Sequence, residues 1–224
     1  QQKVVSPTDK FLLNYQLRFC FRDHTSMYFY AARQPILNRN KELYAYELLF
    51  RDGLENAFPD IDADEATSRM VEGSQCSFEL DDFLGDKPGF INFTLDTLLK
   101  KYPSMLPKEQ VVVEILETIQ PGKRLLAECQ DLKQQGYVLA LDDYIHQPLW
   151  RHFYLFIDII KVDFRTTSTD TIAEIKQAIA AFPHIKLLAE KVETNEEFQA
   201  ALALGFSYFQ GYFFSKPEVM QSKT

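Results

Sequence analysis

The sequence predicts an α/β fold, a modified (β/α)₈ TIM barrel whose first strand runs antiparallel to its neighbour. Three observations predict it. Eight short apolar runs follow one another along the chain, stretches with helical periodicity separate most of them, and the first two runs are too close together for a parallel connection. Alternation of strand and helix is typical of a parallel sheet that closes on itself.

The apolar runs are too short to be helices, so they are interpreted as strands. The eight predicted strands are Tyr30–Leu37, Leu43–Phe50, Gly89–Phe93, Val111–Leu116, Tyr137–Leu141, Phe156–Val162, Ile185–Ala189 and Tyr208–Phe214. The predicted helices between them are Ala63–Phe83, Leu95–Tyr102, Gly122–Gln135, Thr169–Phe182 and Thr194–Leu204. The last helix opens with Thr194 and Glu197, which have the spacing of a capping box.

Two connections depart from the alternation of strand and helix. Only Asn38–Glu42 separate the first two strands, whereas a parallel crossover needs about a dozen residues or more. An antiparallel hairpin is therefore expected there. The stretch Tyr144–Leu155 contains proline and aromatic residues but little helical periodicity, so an irregular loop is expected between the fifth and sixth strands.

The composition indicates a soluble globular protein and excludes several functional classes. Of the 224 residues 46% are hydrophobic, yet no apolar run approaches the roughly 18 residues of a membrane span. The formal charge of −8 argues against broad binding to DNA or RNA, which requires a surplus of Lys and Arg. Because residues 1–26 lack a signal-peptide pattern and the three cysteines are far apart, we expect a cytoplasmic protein with reduced thiols.

The chain is expected to contain three segments. Residues 1–26 form an N-terminal extension, residues 27–217 form the barrel domain, and residues 218–224 form a C-terminal tail that could link to a further domain. Met27 would be a natural start just before the first predicted strand.

Polar residues close most of the apolar runs. In a barrel of this type the carboxyl ends of the strands form one mouth, where reactive groups lie. Members of the series are separated by 22, 28, 19, 29 and 20 positions, intervals that suit one strand, one helix and two loops. The series consists of Asn92, Glu114, Asp142 with Asp143, Lys161, Glu190 and Gln210, and Glu47 joins it from the second strand.

The chemistry of this series favours a metal site. Carboxylate and amide oxygens with one lysine suit a hard cation such as Mg²⁺ or Mn²⁺, and the lack of His and Cys disfavours zinc. Metal-assisted phosphoryl chemistry is the natural inference. Any single polar residue at a strand end is more often a helix cap or a solvated loop residue, which is the alternative for each member taken alone.

Seven segments in fixed order resemble the motifs of EAL domains, a bacterial family of barrels that bind cyclic di-GMP. They cover about Tyr28 to Pro217 and read RQPILNRNKELYAYELLFR, FINFT, VVVEILET, LALDDY, DIIKVD, LLAEKVET and FQGYFFSKP. The resemblance implies a modified barrel with an antiparallel first strand. It also implies a cyclic di-GMP phosphodiesterase, in which water attacks one phosphodiester bond with the help of two Mg²⁺ or Mn²⁺ ions and leaves linear pGpG.

The resemblance assigns roles to individual residues. The metal ligands that it implies are Glu47, Asn92, Glu114, Asp142, Asp143 and Glu190. The catalytic residues that it implies are Lys161, beside the attacking water, with Glu190 and Asp143. Matches to substrate contacts are Gln34, Arg51 and Gln210, and matches to supporting residues are Glu117 and Glu193.

One stretch departs from the family pattern. After Asp143 the family usually continues with a Gly-Thr-Gly-Tyr-Ser-Ser loop, whereas this chain continues with Tyr144, Ile145, His146, Gln147 and Pro148. That loop normally steers the second metal and a dimer contact. Slow turnover is therefore expected, and a catalytically impaired sensor that binds cyclic di-GMP is the alternative.

The resemblance also bears on partners. It allows a homodimer, and the YELLFR segment with the altered loop resembles EAL domains that precede an HDOD domain, which would lie C-terminal in a longer protein. Neither polymeric nucleic acid nor a membrane is expected as a partner. An interaction domain that binds no nucleotide would leave Gln34, Arg51 and Gln210 poorly explained.

Overall fold

A sheet of nine strands organises the part of the chain that the computed structural model describes, residues 28–49, 80–81 and 83–223. Its strands are β1 (Tyr28–Asn38), β2 (Leu43–Leu49), β3 (Gly89–Phe93), β4 (Val111–Ile115), β5 (Val138–Leu141), β6 (Ile159–Asp163), β7 (Lys186–Glu190), β8 (Tyr208–Phe209) and β9 (Glu218–Lys223). The α-helices between them are α1 (Leu95–Leu99), α2 (Lys123–Gln135), α3 (Thr169–Ile179) and α4 (Asn195–Ala203). Short 3₁₀ turns span Tyr102–Met105 and Pro148–His152.

The first eight strands close into a barrel. Strands β2 to β8 follow one another in parallel, and β1 closes the ring by pairing antiparallel with both β2 and β8. Asn38 organises the tight β1–β2 turn, because its Oδ1 accepts hydrogen bonds from the backbone N–H of Asn40 at 2.8 Å and of Glu42 at 3.0 Å. The modified TIM barrel and its antiparallel hairpin, both predicted from the sequence, are confirmed.

The end of the barrel differs from the sequence prediction. Seven predicted strands agree with the structure to within three residues, but the predicted strand Tyr208–Phe214 is wrong beyond Phe209. The chain turns at Gly211, which has a φ of 150°, a backbone angle that residues other than glycine rarely adopt. Val192 fixes this turn, since its N–H donates to the Gln210 carbonyl and its carbonyl accepts from the Phe213 N–H.

Strand β9 is a structural feature that the sequence does not predict. It pairs antiparallel with the first half of β1, from Tyr28 to Arg33, within the segment expected to be a tail. Its six residues contain only Val219 and Met220 as an apolar pair, too short a run to indicate a strand. The predicted helix Ala63–Phe83 lies mostly outside the described residues.

The interior of the barrel has two layers of different chemistry. Alternate residues of a strand face the same side, so the inward positions repeat every two residues. The layer toward the amino ends of the parallel strands is apolar and consists of Ile36, Ala45, Phe90, Val112, Ala140, Ile159 and Leu188. Two positions further along each parallel strand or its end, the inward residue is polar: Glu47, Asn92, Glu114, Asp142, Lys161 and Glu190. The fold thus places a layer of polar side chains directly above a layer of buried apolar side chains inside the barrel.

The helices pack on the outer face of the sheet, and α4 is capped as the sequence predicts. Thr194 Oγ1 accepts from the N–H of Glu197 at 3.1 Å, and Glu197 Oε2 accepts from the N–H of Thr194 at 3.3 Å, which completes the predicted capping box of α4. Buried residues of α2 and α3 are Leu125, Cys129, Leu132, Ile172, Ile175 and Ile179. Within the described ranges, no helix is both long enough and apolar enough to cross a bilayer.

Candidate active site

Lys161 on β6 is the centre of the candidate site. Its side chain is fully buried, and its Nζ lies 3.3 Å from Glu47 Oε1, 2.9 Å from Asp142 Oδ1 and 3.0 Å from Glu190 Oε1. The same ammonium also pairs with Glu114. The four carboxylates come from β2, β4, the end of β5 and β7. The barrel therefore gathers residues that are distant in sequence at one mouth.

Burial and ion pairing shift the pKa of these groups in different directions. Burial raises the pKa of Glu114 well above its usual value and raises the pKa of Glu190 to about 8, although the Lys161 charge opposes both shifts. Burial alone would lower the pKa of Lys161, but the surrounding carboxylates, Glu114 foremost, raise it well above its ordinary value. Burial opposes ionisation of Asp142, yet Lys161 lowers the net pKa of that carboxyl. The ion pairs therefore favour the charged forms of Lys161 and Asp142, whereas burial favours the protonated form of Glu190.

A hydrogen-bonded glutamine pair borders the carboxylates. Gln210 Nε2 donates to Gln34 Oε1 at 3.0 Å and to Glu47 Oε2 at 2.5 Å, and all three residues are buried. Gln210 precedes Gly211, where a Cβ would lie 2.1 Å from the Val192 carbonyl oxygen. Only glycine allows this approach, so the residue after Gln210 helps to fix its amide at the site.

Buried oxygens at the site lack hydrogen-bond donors. Asn92 Oδ1, Glu114 Oε2 and Glu190 Oε2 have no hydrogen-bond partner within the described ranges, and the β3–β4 register places Asn92 beside Glu114. Buried acceptors without a partner are unfavourable, and such oxygens are the ligands that hard divalent cations prefer. The donor chemistry therefore fits Mg²⁺ or Mn²⁺.

The arrangement of the carboxylates is centred on the lysine. In the part of the chain that the structure describes, no three Asp, Glu, His or Cys side chains have the spacing of a metal site. The carboxylates converge on the Lys161 ammonium instead. A shared coordination sphere for Glu47, Asn92, Glu114 and Asp142 thus stays a prediction.

Asp143 has a different partner from its neighbour Asp142. Both carboxylate oxygens of Asp143 lie 3.3 Å from Nζ of Lys191, which also donates to Asp163 Oδ2 at 2.7 Å. Asp163 and Lys191 are not among the residues that the sequence singles out. Asp163 ends the DIIKVD segment and Lys191 directly follows β7, so their positions at strand ends are the signal that could have identified them.

The loop between β5 and β6 is irregular, as the sequence predicts. Tyr144 is buried, and its hydroxyl lies 2.7 Å from the Tyr154 hydroxyl and 3.1 Å from His146 Nδ1. By contrast, Ile145 and Leu149 have exposed fractions of 69% and 56%. The loop is therefore anchored at Tyr144 and presents apolar side chains to solvent beyond it.

The remaining predicted residues lie at the rim or outside the described ranges. Glu117 is exposed and lines a cavity of about 90 Å³ between this loop and the ends of β4 and β5, which Asp142 also lines. Glu193 is exposed, and its Oε1 accepts from the Arg165 guanidinium at 2.5 Å. Arg51 lies outside the described residues. The structure thus places Glu117 and Glu193 outside the buried cluster around Lys161.

Sequence comparisons identify relatives. The model of the EAL domain family matches residues 54–217. The chain is 44% identical over 196 residues to "Cyclic di-GMP phosphodiesterase CdgJ" of Vibrio cholerae, a match that covers 87% of this chain and 45% of that protein. It is 38% identical over 196 residues to "Uncharacterized protein YuxH" of Bacillus subtilis, covering 85% of this chain and 48% of that protein. The chain spans about half the length of these curated relatives.

Solved structures share the barrel. BlrP1 of Klebsiella pneumoniae, in a complex with calcium and cyclic di-GMP, superposes with a TM-score of 0.66 at 25% identity over 87% of this chain and 58% of that chain. An EAL domain protein of Listeria monocytogenes superposes with a TM-score of 0.65 at 20% identity over 84% of this chain and 88% of that chain, which shows a shared fold. The family match covers well over half of the sequence, and the barrel brings five of its motif residues, Glu47, Glu114, Asp142, Lys161 and Glu190, together. The chain therefore belongs to the EAL domain family.

Proposed function

We propose that this domain hydrolyses cyclic di-GMP to linear pGpG with the help of Mg²⁺ or Mn²⁺. One observation carries the proposal: four carboxylates and a buried lysine converge at the carboxyl ends of the barrel strands in a chain of the EAL family. The similarity to the Vibrio cholerae cyclic di-GMP phosphodiesterase supports the reaction class, and the Klebsiella pneumoniae structures, which contain cyclic di-GMP with calcium or manganese, support the ligand and a divalent cation.

The cations would be held by the oxygens described above. Asn92 and Glu114 offer buried acceptors on adjacent strands, and Glu47, Asp142 and Glu190 offer carboxylates that now face Lys161. When bound, such cations supply positive charge that stabilises the charge developing on phosphoryl oxygens. We further propose that Asp143 and Glu190 serve a second cation site.

Lys161 and Glu190 are proposed to orient and deprotonate the attacking water. Burial raises the pKa of Glu190 to about 8, so without a cation the protonated form predominates at pH 7, and a bound cation would favour the carboxylate that can accept a proton from water. Lys161 Nζ lies 3.0 Å from Glu190 Oε1 and keeps that carboxyl at a fixed place within the mouth. General-base assistance of this kind typically contributes on the order of 10²-fold to 10⁴-fold in rate.

The glutamine pair and Arg51 are proposed to bind the dinucleotide. Gln210 and Gln34 bring donor and acceptor atoms to the edge of the carboxylate cluster, where a phosphate or base edge could replace their mutual hydrogen bond. Arg51 is two residues beyond β2 and carries a planar fork of donors that suits a phosphate. Glu117 and Glu193 stay proposed supporting residues at the rim.

A product assay tests the function. The protein is incubated with cyclic di-GMP and Mn²⁺, and the products are resolved by chromatography. We expect pGpG to accumulate with wild-type protein and to fall by at least about 10²-fold with Glu47→Ala or Glu190→Gln, because each removes a proposed ligand or base. Lys186→Met, at the far end of β7, is the control that should leave turnover unchanged. No pGpG from wild-type protein at saturating Mn²⁺ would refute hydrolysis.

The second candidate is a cyclic di-GMP sensor with impaired catalysis. Its supporting observation is the placement of Asp143, whose carboxylate pairs with Lys191 at the partly exposed rim instead of with Lys161. Calorimetric binding of cyclic di-GMP without detectable pGpG would favour the sensor. A homodimer and a C-terminal HDOD domain in the full-length protein also stay proposals.

A further inference from the structure

We propose that Lys191 is a positioning residue that holds Asp143 at the mouth of the barrel. Its catalytic consequence rests on the proposed phosphodiesterase function. Its structural content, a lysine that fixes one of two adjacent aspartates, rests only on the contacts in the fold.

The contacts of Asp143 single out Lys191. The carboxylate of Asp143 lies 3.3 Å from Lys191 Nζ through both of its oxygens. Lys161 Nζ instead pairs with Asp142 at 2.9 Å. The two adjacent aspartates thus have different lysine partners. Asp142 pairs with Lys161 in the buried cluster, and Asp143 pairs with Lys191 at the rim.

Lys191 is itself fixed by an anchor on the neighbouring strand. Its Nζ donates to Asp163 Oδ2 at 2.7 Å, while Asp163 Oδ1 accepts from the N–H of Arg165 at 2.9 Å and of Thr166 at 3.1 Å. Both carboxylate oxygens of Asp163 are therefore engaged, and its position at the end of β6 is rigid. The ammonium bridges this anchor to Asp143 and links the ends of β5, β6 and β7.

The backbone at both ends of the bridge is unusual. Lys191 has a φ of 58° and Asp143 a φ of 34°, both in the left-handed region that side chains other than glycine rarely adopt. Glycine would relieve this conformation at position 191, but it would supply no ammonium. A non-glycine residue in such a conformation next to a proposed catalytic group points to a requirement for its side chain.

Charge at the rim is consistent with positioning of Asp143. Lys191 Nζ lies within hydrogen-bond distance of carboxylate oxygens of both Asp163 and Asp143. Its side chain is 49% exposed and could also touch a substrate phosphate. Direct contact with substrate would weaken binding when the lysine is removed, whereas positioning would lower turnover with little effect on KM. The two roles are therefore separable.

Crystal structures of the wild type, Lys191→Met and Lys191→Gly test the structural content. The glycine variant relieves the left-handed backbone, which offsets part of the stability lost with the Lys191 contacts. We expect Asp143 to lose its single side-chain position in both variants, while Asp163 keeps its hydrogen bonds to the Arg165 and Thr166 amides. An Asp143 carboxylate that stays in place without the ammonium would overturn the proposal, whatever the activity of the protein.

Kinetics test the consequence. With cyclic di-GMP and Mn²⁺, we expect kcat to fall on the order of 10-fold to 10²-fold in both variants, with KM within about twofold of wild type, and the Mn²⁺ concentration for half-maximal activity to rise. Lys191→Arg should restore most of the loss, and Lys186→Met, an exposed lysine at the other end of β7, should match wild type. A raised KM with unchanged kcat would overturn positioning in favour of substrate contact. Wild-type protein without hydrolysis would refute the proposed function alone, since the crystal structures decide the placement of Asp143 independently.

Discussion

Lys161 donates from Nζ to Oδ1 of Asp142 across 2.9 Å, at a point where the lysine has no exposed surface. Desolvation of an ammonium is costly unless its partners compensate. Four carboxylates provide that compensation here, and the lysine in turn neutralises part of their mutual repulsion. Lys161 is therefore both a proposed catalytic residue and the internal counter-charge of the site.

Removal of this counter-charge should destabilise the protein. We expect Lys161→Met to lower the free energy of unfolding by about 3 to 5 kcal/mol in chelator, because it leaves buried carboxylates without a partner. Addition of Mn²⁺ should stabilise the variant more than it stabilises wild type, since the cation would replace the lost charge. Urea unfolding with and without Mn²⁺ measures both effects.

Lys133→Met is the matched control for this experiment. Lys133 pairs with Asp158 at 2.6 Å, but their side chains are 31% and 25% exposed, so solvent screens the pair. Its loss should cost about 1 kcal/mol or less, and Mn²⁺ should not compensate for it. Equal losses in the two variants would show that Lys161 is not the electrostatic centre of the site.

The turn after Gln210 should tolerate no side chain. Gly211→Ala would place a Cβ 2.1 Å from the Val192 carbonyl oxygen. Because the clash is with a backbone atom, no side-chain rotation can relieve it. We expect a loss of about 3 kcal/mol or more in the free energy of unfolding, the scale of overpacking in a core. Thermal unfolding of wild type and variant measures this loss of stability.

Gly85→Ala is the control that separates the steric effect from backbone strain, because Gly85 has a φ of +60° and nothing within 4 Å. A loss no larger than the roughly 1 kcal/mol expected for Gly85→Ala would contradict the steric argument.

Ionised Asp163 should stabilise the fold in a pH-dependent way. Burial opposes its ionisation, but Lys191 and two backbone amides lower its pKa below the ordinary 3.8. A carboxyl with a depressed pKa in the folded state adds stability above its unfolded pKa and loses it as the pH falls through the folded pKa. Asp163→Asn should therefore cost about 1 kcal/mol at pH 7, given the partial exposure of the lysine, and progressively less below pH 3.8.

Urea midpoints of wild type and Asp163→Asn at a series of pH values provide the measurement for Asp163. Asp86→Asn is the control, because the Asp86 side chain is 87% exposed and should show little difference at any pH. A cost of Asp163→Asn that stays constant down to the acid transition would argue against an ionised Asp163 as the anchor.

The outer part of the β5–β6 loop should tune turnover more than binding. Replacement of residues 145–149 by Thr-Gly-Tyr-Ser-Ser, the part of the family sequence that follows its first glycine, with Tyr144 retained, removes the stiff Pro148 and the exposed Ile145 and Leu149. We expect kcat to rise on the order of 10-fold, because a freer loop can bring Asp143 closer to a second cation, with a much smaller change in affinity for cyclic di-GMP.

Steady-state kinetics and calorimetry at saturating Mg²⁺ measure turnover and affinity in this loop variant. Tyr144 is retained because its hydroxyl is buried against Tyr154 at 2.7 Å, so its loss would confuse folding with catalysis. An unchanged kcat in a fully folded variant would show that the loop does not limit turnover.

Much of the site could be predicted because the period of a strand is two. Phe90 and Asn92 share one face of β3, and Val112 and Glu114 share one face of β4. The sequence pattern of each strand therefore predicts both the apolar inner layer and the polar layer next to it. The place of Lys161 between four carboxylates could not be predicted from that pattern, because it depends on the order of strands around the closed barrel.

Other features depend on geometry that a local pattern does not encode. The bridge from Lys191 to Asp143 depends on a left-handed backbone at both residues, which their sequence does not favour. Strand β9 forms because β8 pairs with only the last two residues of β1, so the same edge of β1 offers free backbone groups from Tyr28 to Arg33 to a nearby segment. The early end of β8 follows from the contact between Gly211 and Val192.

The antiparallel first strand has a consequence for the order of folding. β1 meets β8 at Asn38 and Tyr208, so the ring closes only when its last strand reaches its first strand. Gln34 and Gln210 join across this seam, and Glu47 binds the same amide. Contacts between such remote segments are slow to form, since the loop entropy must be lost before they stabilise anything. A partly synthesised chain therefore contains most of the carboxylates but lacks Gln210, which binds Gln34 and Glu47. The candidate site is thus completed in the same step that closes the barrel.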